Sequence, residues 1–165
     1  MKYKNMVLII TTIITGLSAG IFYCWSVSVT RGLAVLPDKE YITAFQALNR
    51  EIQNPLFLVC FFGPVFLLPI SAWQSYEQPL PLRFWLLLSA AIIYIVGVIV
   101  VTMVGNVPMN DSLDTFNVAP VTAKEIADKR NLFEAPWNNL NNIRTFACIV
   151  SFALTTIACM VKCLK

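Results

Sequence analysis

The chain has 165 residues, 58% of them hydrophobic and 13% charged, with a formal net charge of +3. So little charge excludes an ordinary soluble domain, and +3 without a basic patch excludes a nucleic-acid binder. There is no histidine, which removes the commonest general base, the Ser-His triad and every imidazole metal ligand.

The first apolar stretch runs uncharged from Met6 to Val29. Lys2 and Lys4 followed by an apolar run and Ser18-Ala19-Gly20 imitate a signal peptide. The apolar run continues well past the roughly 7–15 residues of a signal core, however, so a retained first span over 6–30 is predicted. Gly16 and Gly20 have the spacing that lets a neighbouring helix approach closely. Beyond Gly20 the helix turns polar and aromatic. Tyr23 and Trp25 fit an interface belt, while Ser26 and Thr30, four residues apart, fit the lining of a cavity.

Residues 38–53 read as an amphipathic helix. Ile42, Phe45, Leu48 and Ile52 form an apolar stripe, and Gln46, Asn49 and Gln53 form an uncharged polar one. Such a helix either lies on the membrane surface or tucks over the bundle with its amides facing a pocket. Asn54-Pro55 closes it. The second span, 56–76, carries Pro64 and Pro69, which remove amide donors and kink a helix. Pro79 and Pro81 mark a tight turn. The third span, 84–106, is rich in Ile and Val and is expected to end at Gly105-Asn106.

A long loop is expected between Asn106 and Pro136. Within it Thr122 and Glu125 have capping-box spacing, which starts a short helix through about Asn131. Asp111 and Asp114 either cap a short turn at Leu113–Phe116 or pair with Arg144. The fourth span, 137–161, begins at Pro136, a good first-turn residue. On it Trp137, Asn141, Arg144 and Cys148 follow at spacings of four, three and four, which stack them on one face. Arg144 either snorkels to the interface or presents donors to an oxyanion at the mouth of the bundle. The five cysteines, Cys24, Cys60, Cys148, Cys159 and Cys163, form no Cys-x-x-Cys pair and read as small apolar residues of the spans.

The fold class that follows is all-α: an integral membrane four-helix bundle in one domain, residues 1–165, with an amphipathic helix between helices one and two and a long loop between helices three and four. Four spans put both termini and the middle turn on one side, with Lys2, Lys4, Arg83, Lys162 and Lys165 against Glu77. The dense basic residues near the termini place that side in the cytoplasm of a plasma or inner membrane, although the other side carries more Lys and Arg in total.

Four segments occur in order: Gly16-Leu17-Ser18-Ala19-Gly20-Ile21-Phe22, Phe45-Gln46-Ala47-Leu48-Asn49, Asn106-Val107-Pro108-Met109-Asn110-Asp111-Ser112-Leu113, and Trp137-Asn138-Asn139-Leu140-Asn141-Asn142-Ile143-Arg144. Over nearly its whole length the chain resembles the small four-helix membrane family, largely of unknown function, that includes the fungal anthrone oxygenases. The resemblance implies oxidation of an anthrone to an anthraquinone by dioxygen, with no metal, flavin or other cofactor. It further implies Asp111 as base and Arg144, with Asn106, Asn110 or Asn141, as oxyanion donors. Gln46, Asn49, Asn106, Asn110, Trp137 and Asn141 are the candidate substrate-binding residues. Three functions stay open: binding of a small hydrophobic molecule at the non-cytoplasmic mouth, cofactor-independent oxygenation of an anthrone-like polycyclic phenol, and a structural or assembly role in the membrane. The expected partners are the lipid bilayer and a small hydrophobic ligand.

Overall fold

The computed structural model describes residues 2–161, and the side chains of residues 5–161. Lys162, Cys163 and Lys165, and the side chains of Lys2 and Lys4, which entered the charge balance, lie outside the described residues.

The described residues form five helices and no strand. Helix α1 runs Lys2–Cys24 and continues through a π turn, Trp25–Val29, into Thr30–Ala34. Helix α2 is Asp38–Glu51 and α3 is Pro55–Gln74. Helix α4 starts as Leu82–Tyr94, passes through π segments Ile95–Val100 and Thr102–Asn106, and ends as Val107–Asp114. Helix α5 is Ala123–Met160. Four stretches are long and apolar enough to cross a membrane: Asn5–Ala34, Pro55–Gln74, Leu82–Asp114 and Ala123–Met160.

Around the bundle α1 packs on α3 and α5, and α4 closes the ring against α3 and α5. The outside is apolar, with Ile9, Ile13, Phe66, Trp73, Ile92 and Phe146 all exposed. The inside carries hydroxyls: Thr11, Thr15, Ser18, Ser151 and Thr155 are fully buried. This inverts the soluble pattern, because in lipid the apolar surface has nothing to gain by hiding and polar groups must find partners inside. Thr11 bonds Ser71 at 2.8 Å, Ser18 bonds the Tyr94 hydroxyl at 2.9 Å, and that hydroxyl donates to the Phe61 carbonyl at 2.8 Å. Interhelical bonds of this kind contribute about 0.6 kcal/mol each.

Close approach between helices falls at glycines. A Cβ on Gly97 would sit 2.5 Å from the Ala147 Cβ, and one on Gly105 would meet Leu140 at 2.7 Å. Of the Gly16/Gly20 pair only Gly16 is such a contact, facing Phe152 at 2.8 Å, while Gly20 has nothing within 4 Å.

Three expectations about the α4–α5 region are corrected. The long loop is largely helical, and residues 115–122 alone connect α4 to α5. Helix α4 does not end at Gly105-Asn106, because the π turn accommodates the proline that follows. There the Val107 N–H bonds the Thr102 carbonyl, five residues back, and Pro108 falls in the first turn of the next α segment, where a missing N–H costs little. The Thr122–Glu125 capping box forms as the spacing predicts, with the Glu125 carboxylate accepting the Thr122 N–H at 2.7 Å. The helix it starts does not stop near Asn131, however. It runs without a break through Pro136 to Met160.

Helix α2 tucks over the end of the bundle remote from the termini. Tyr41, Ile42 and Phe45 are buried, and the Phe45 ring meets those of Phe133 and Trp137 at 4.7 and 4.9 Å. Arg130 ties the end of α1 to α5, donating to the carbonyls of Ala34 and Leu36 and pairing with Asp38 and Glu134. Gln46 and Arg50 hold α2 to the end of α4, through the carbonyls of Leu113 and Phe116 and the carboxylate of Asp114.

Candidate functional site

Beneath α2 the bundle encloses a cavity of about 240 Å³. All five helices contribute to its wall. Helix α1 gives Ile21, Phe22 and Trp25, and α2 gives Asn49 with Ile52 and Gln53 just beyond it. Helix α3 gives Phe57, Leu58, Phe61 and Phe62, and α4 gives Thr102, Met103, Val107, Asn110 and Asp111. Helix α5 gives Trp137, Asn141 and Arg144. Most of the lining is aromatic and aliphatic, and its polar groups include the amides of Asn49, Gln53, Asn110 and Asn141, the Asp111 carboxylate and the Arg144 guanidinium. That is the composition of a site for a small apolar molecule with one polar end.

Arg144 is the exceptional group. It is only 6% exposed, and among the described residues no carboxylate pairs with it. One terminal nitrogen donates to the Asn141 Oδ1 at 2.9 Å and the other approaches the Thr102 hydroxyl at 3.4 Å. Its Nε has no hydrogen-bond partner. The guanidinium lies 4.9 Å from the centre of the Phe22 ring and 5.3 Å from that of Trp137, so cation–π attraction stands where an anion otherwise would.

A hydrogen-bond chain fixes the support. Asn141 donates to Ser26 at 2.8 Å, Ser26 and Thr145 share a bond of 2.8 Å, and Thr145 donates to the Asn141 and Phe22 carbonyls. The Trp137 indole donates to the Asn110 Oδ1 at 2.7 Å. The side chains holding Arg144 are therefore themselves held, and the guanidinium is pre-organised.

Of the residues singled out from the sequence, Asp111, Arg144, Asn49, Asn110, Trp137 and Asn141 meet on this wall. The predicted face of α5 is real: Trp137, Asn141, Arg144 and Cys148 are all buried. Two candidates stand apart. Gln46 spends its amide on backbone carbonyls at the end of α4. Asn106 is fully buried off the cavity wall, and neither its Oδ1 nor its Nδ2 has a partner. The pairing of Arg144 with Asp111 or Asp114 does not form: Asp114 bonds Arg50 at 2.7 Å, and the exposed Asp111 carboxylate at the rim is unpaired.

Apart from Trp137, the aromatic lining was not read from the sequence. Phe57 and Phe61, one helical turn apart, are the part whose spacing carried a signal, and they stack at 5.5 Å. Among the described residues no three Cys, Asp or Glu side chains converge as metal ligands.

A family model described as anthrone oxygenase matches residues 57–154. The match takes in the cavity-lining parts of α3, α4 and α5. No curated protein and no solved structure matches the chain.

Proposed function

The chain belongs to the anthrone oxygenase family, and from that premise we propose that the cavity binds a small, flat, weakly acidic aromatic molecule as its anion against Arg144 and promotes its oxidation by dioxygen. The observation that carries the reading is the buried Arg144, turned to an aromatic-walled cavity and paired with no carboxylate among the described residues. An enolate or phenolate supplies the missing charge, and Phe22, Phe61 and Trp137 supply faces for its rings.

The chemistry asks little of the protein. Asp111 takes a proton from the acidic carbon of an anthrone-like substrate, or from its enol. The anion transfers one electron to dioxygen, the resulting radical and superoxide combine into a carbon-bound peroxide anion, and the proton held by Asp111 returns to it to give the hydroperoxide. Loss of the remaining proton on that carbon breaks the O–O bond and releases hydroxide, which leaves as water. A CH2 group and O2 thus become a C=O group and H2O. Arg144 and the Asn141 that orients it lower the energy of the anion, while the apolar wall keeps the radical pair from water.

The test is oxygen uptake by the reconstituted protein with 1,8-dihydroxyanthrone, alongside the rise of quinone absorbance. Arg144→Gln and Asp111→Asn are each expected to lose roughly 100-fold or more in turnover, the cost of removing one oxyanion donor or the base, with helicity and elution volume unchanged. Wild-type rates in both folded variants would sink the proposal. Tight binding of the corresponding quinone without oxygen uptake would instead make the protein a carrier of such molecules.

A further inference from the structure

We infer that the cavity opens sideways into the bilayer between α3 and α4, so that its ligand is a molecule dissolved in the hydrocarbon phase. This rests on the aromatic-ligand reading for the ligand's identity, but the opening itself is a property of the helices. Helix α3 packs along Leu82–Tyr94 of α4 and parts from it where α4 enters its π segments. The cavity lies in that divergence. Leu58 and Phe62 stand on one side and Met103 and Val107 on the other, and Leu58, Phe62 and Met103 are each more than one-third exposed while also lining the cavity. A side chain that touches both a cavity and the outer surface is a doorpost.

The depth decides what the door faces. Helix α3 has 20 residues, which rise about 30 Å, the full thickness of the hydrocarbon. Leu58 and Phe62 lie roughly 5 and 10 Å from its Pro55 end, and therefore meet acyl chains. The polar wall groups Asn49 and Gln53 precede that end and sit at the headgroup level under α2. A ligand passing between Leu58 and Met103 comes out of lipid and meets Arg144 on the α5 side of the cavity.

Trp73→Phe with Trp85→Phe leaves Trp25 and Trp137, both on the cavity wall, as the fluorophores. In vesicles of phosphatidylcholine brominated in mid-chain, a lipid-open cavity predicts quenching of this emission. Adding Leu58→Phe and Met103→Phe narrows the doorway and should reduce the quenching at least threefold. Equal quenching with and without the two phenylalanines, or none in either, overturns the opening. Anthraquinone preloaded in the vesicles gives the second arm. The narrowed variant should fill at least tenfold more slowly, and an unchanged filling rate also overturns it. If anthraquinone gives no signal in any variant, the aromatic-ligand reading fails, and the lipid quenching still decides the opening.

Discussion

Arg144 carries its charge into a wall of Phe22, Thr102, Trp137 and Asn141. Removing an ion from water costs several kcal/mol. The two ring contacts return about 0.5–2 kcal/mol each, and the charged hydrogen bond to Asn141 about 1.5–3. The balance is close enough for the group to stay buried and incomplete enough for an anion to be welcome. That gives a prediction in which stability and function move in opposite directions. Asn141→Asp places a carboxylate where Arg144 already donates, so the melting temperature should rise while oxygen uptake and ligand binding fall at least tenfold. Thermal unfolding and titration on the same preparation check it. Loss of both would mean that Asn141 is needed only through its bond to Ser26.

At this scale the sequence was legible where a period carried the information. Trp137, Asn141, Arg144 and Cys148 lie on one regular helix, and their spacing placed them together correctly. Trp25 and Thr102 were missed as wall residues because both lie in π turns, where the regular period that sorts a helix into faces is shifted. Asp114 was a candidate partner of Arg144 because it is close in sequence to the site. It went instead to Arg50, which α2 brings across from a distant part of the chain.

The elements show the same division. Uncharged runs located the four apolar helices without ambiguity, since helix length and hydrocarbon thickness set each other. The misreading of the third connection came from treating each proline as an end. Pro108 sits in the first turn after a π segment and Pro136 inside α5, and neither stops its helix. Helix α5 therefore starts at Ala123, capped by Thr122, and its capping box anchors the extramembrane turns that carry Arg130 and Phe133. Thr122→Ala should cost about 1 kcal/mol, seen as a lower melting temperature. Exchange protection should fall over residues 123–133 and stay unchanged around Arg144. A loss of protection reaching residue 144 would show that the cap and the site unfold as one unit.

For the whole molecule, we propose from the charge balance that both termini lie in the cytoplasm, with α2, the 115–122 connection and the cavity on the opposite side. Trp73 and Trp85, both exposed and flanking the turn between α3 and α4, fit an aromatic belt at that end of the bundle. In a cysteine-free variant, Ala119→Cys should react with a membrane-impermeant maleimide on intact cells and Gln78→Cys only after lysis. The reverse pattern would invert the protein and turn the cavity's polar end to the cytoplasm.

With the lateral opening we propose, the parting of α3 from α4 also sets the units in which ligand affinity is to be expressed. A site filled from the hydrocarbon senses how many ligand molecules there are per lipid, not per litre of water. A compound that partitions strongly into the membrane crowds at the doorway even when its aqueous level is trace, and spreading the same amount over more bilayer thins the supply. For such a site the membrane is the reservoir, and its area governs occupancy as much as the contacts inside the cavity do.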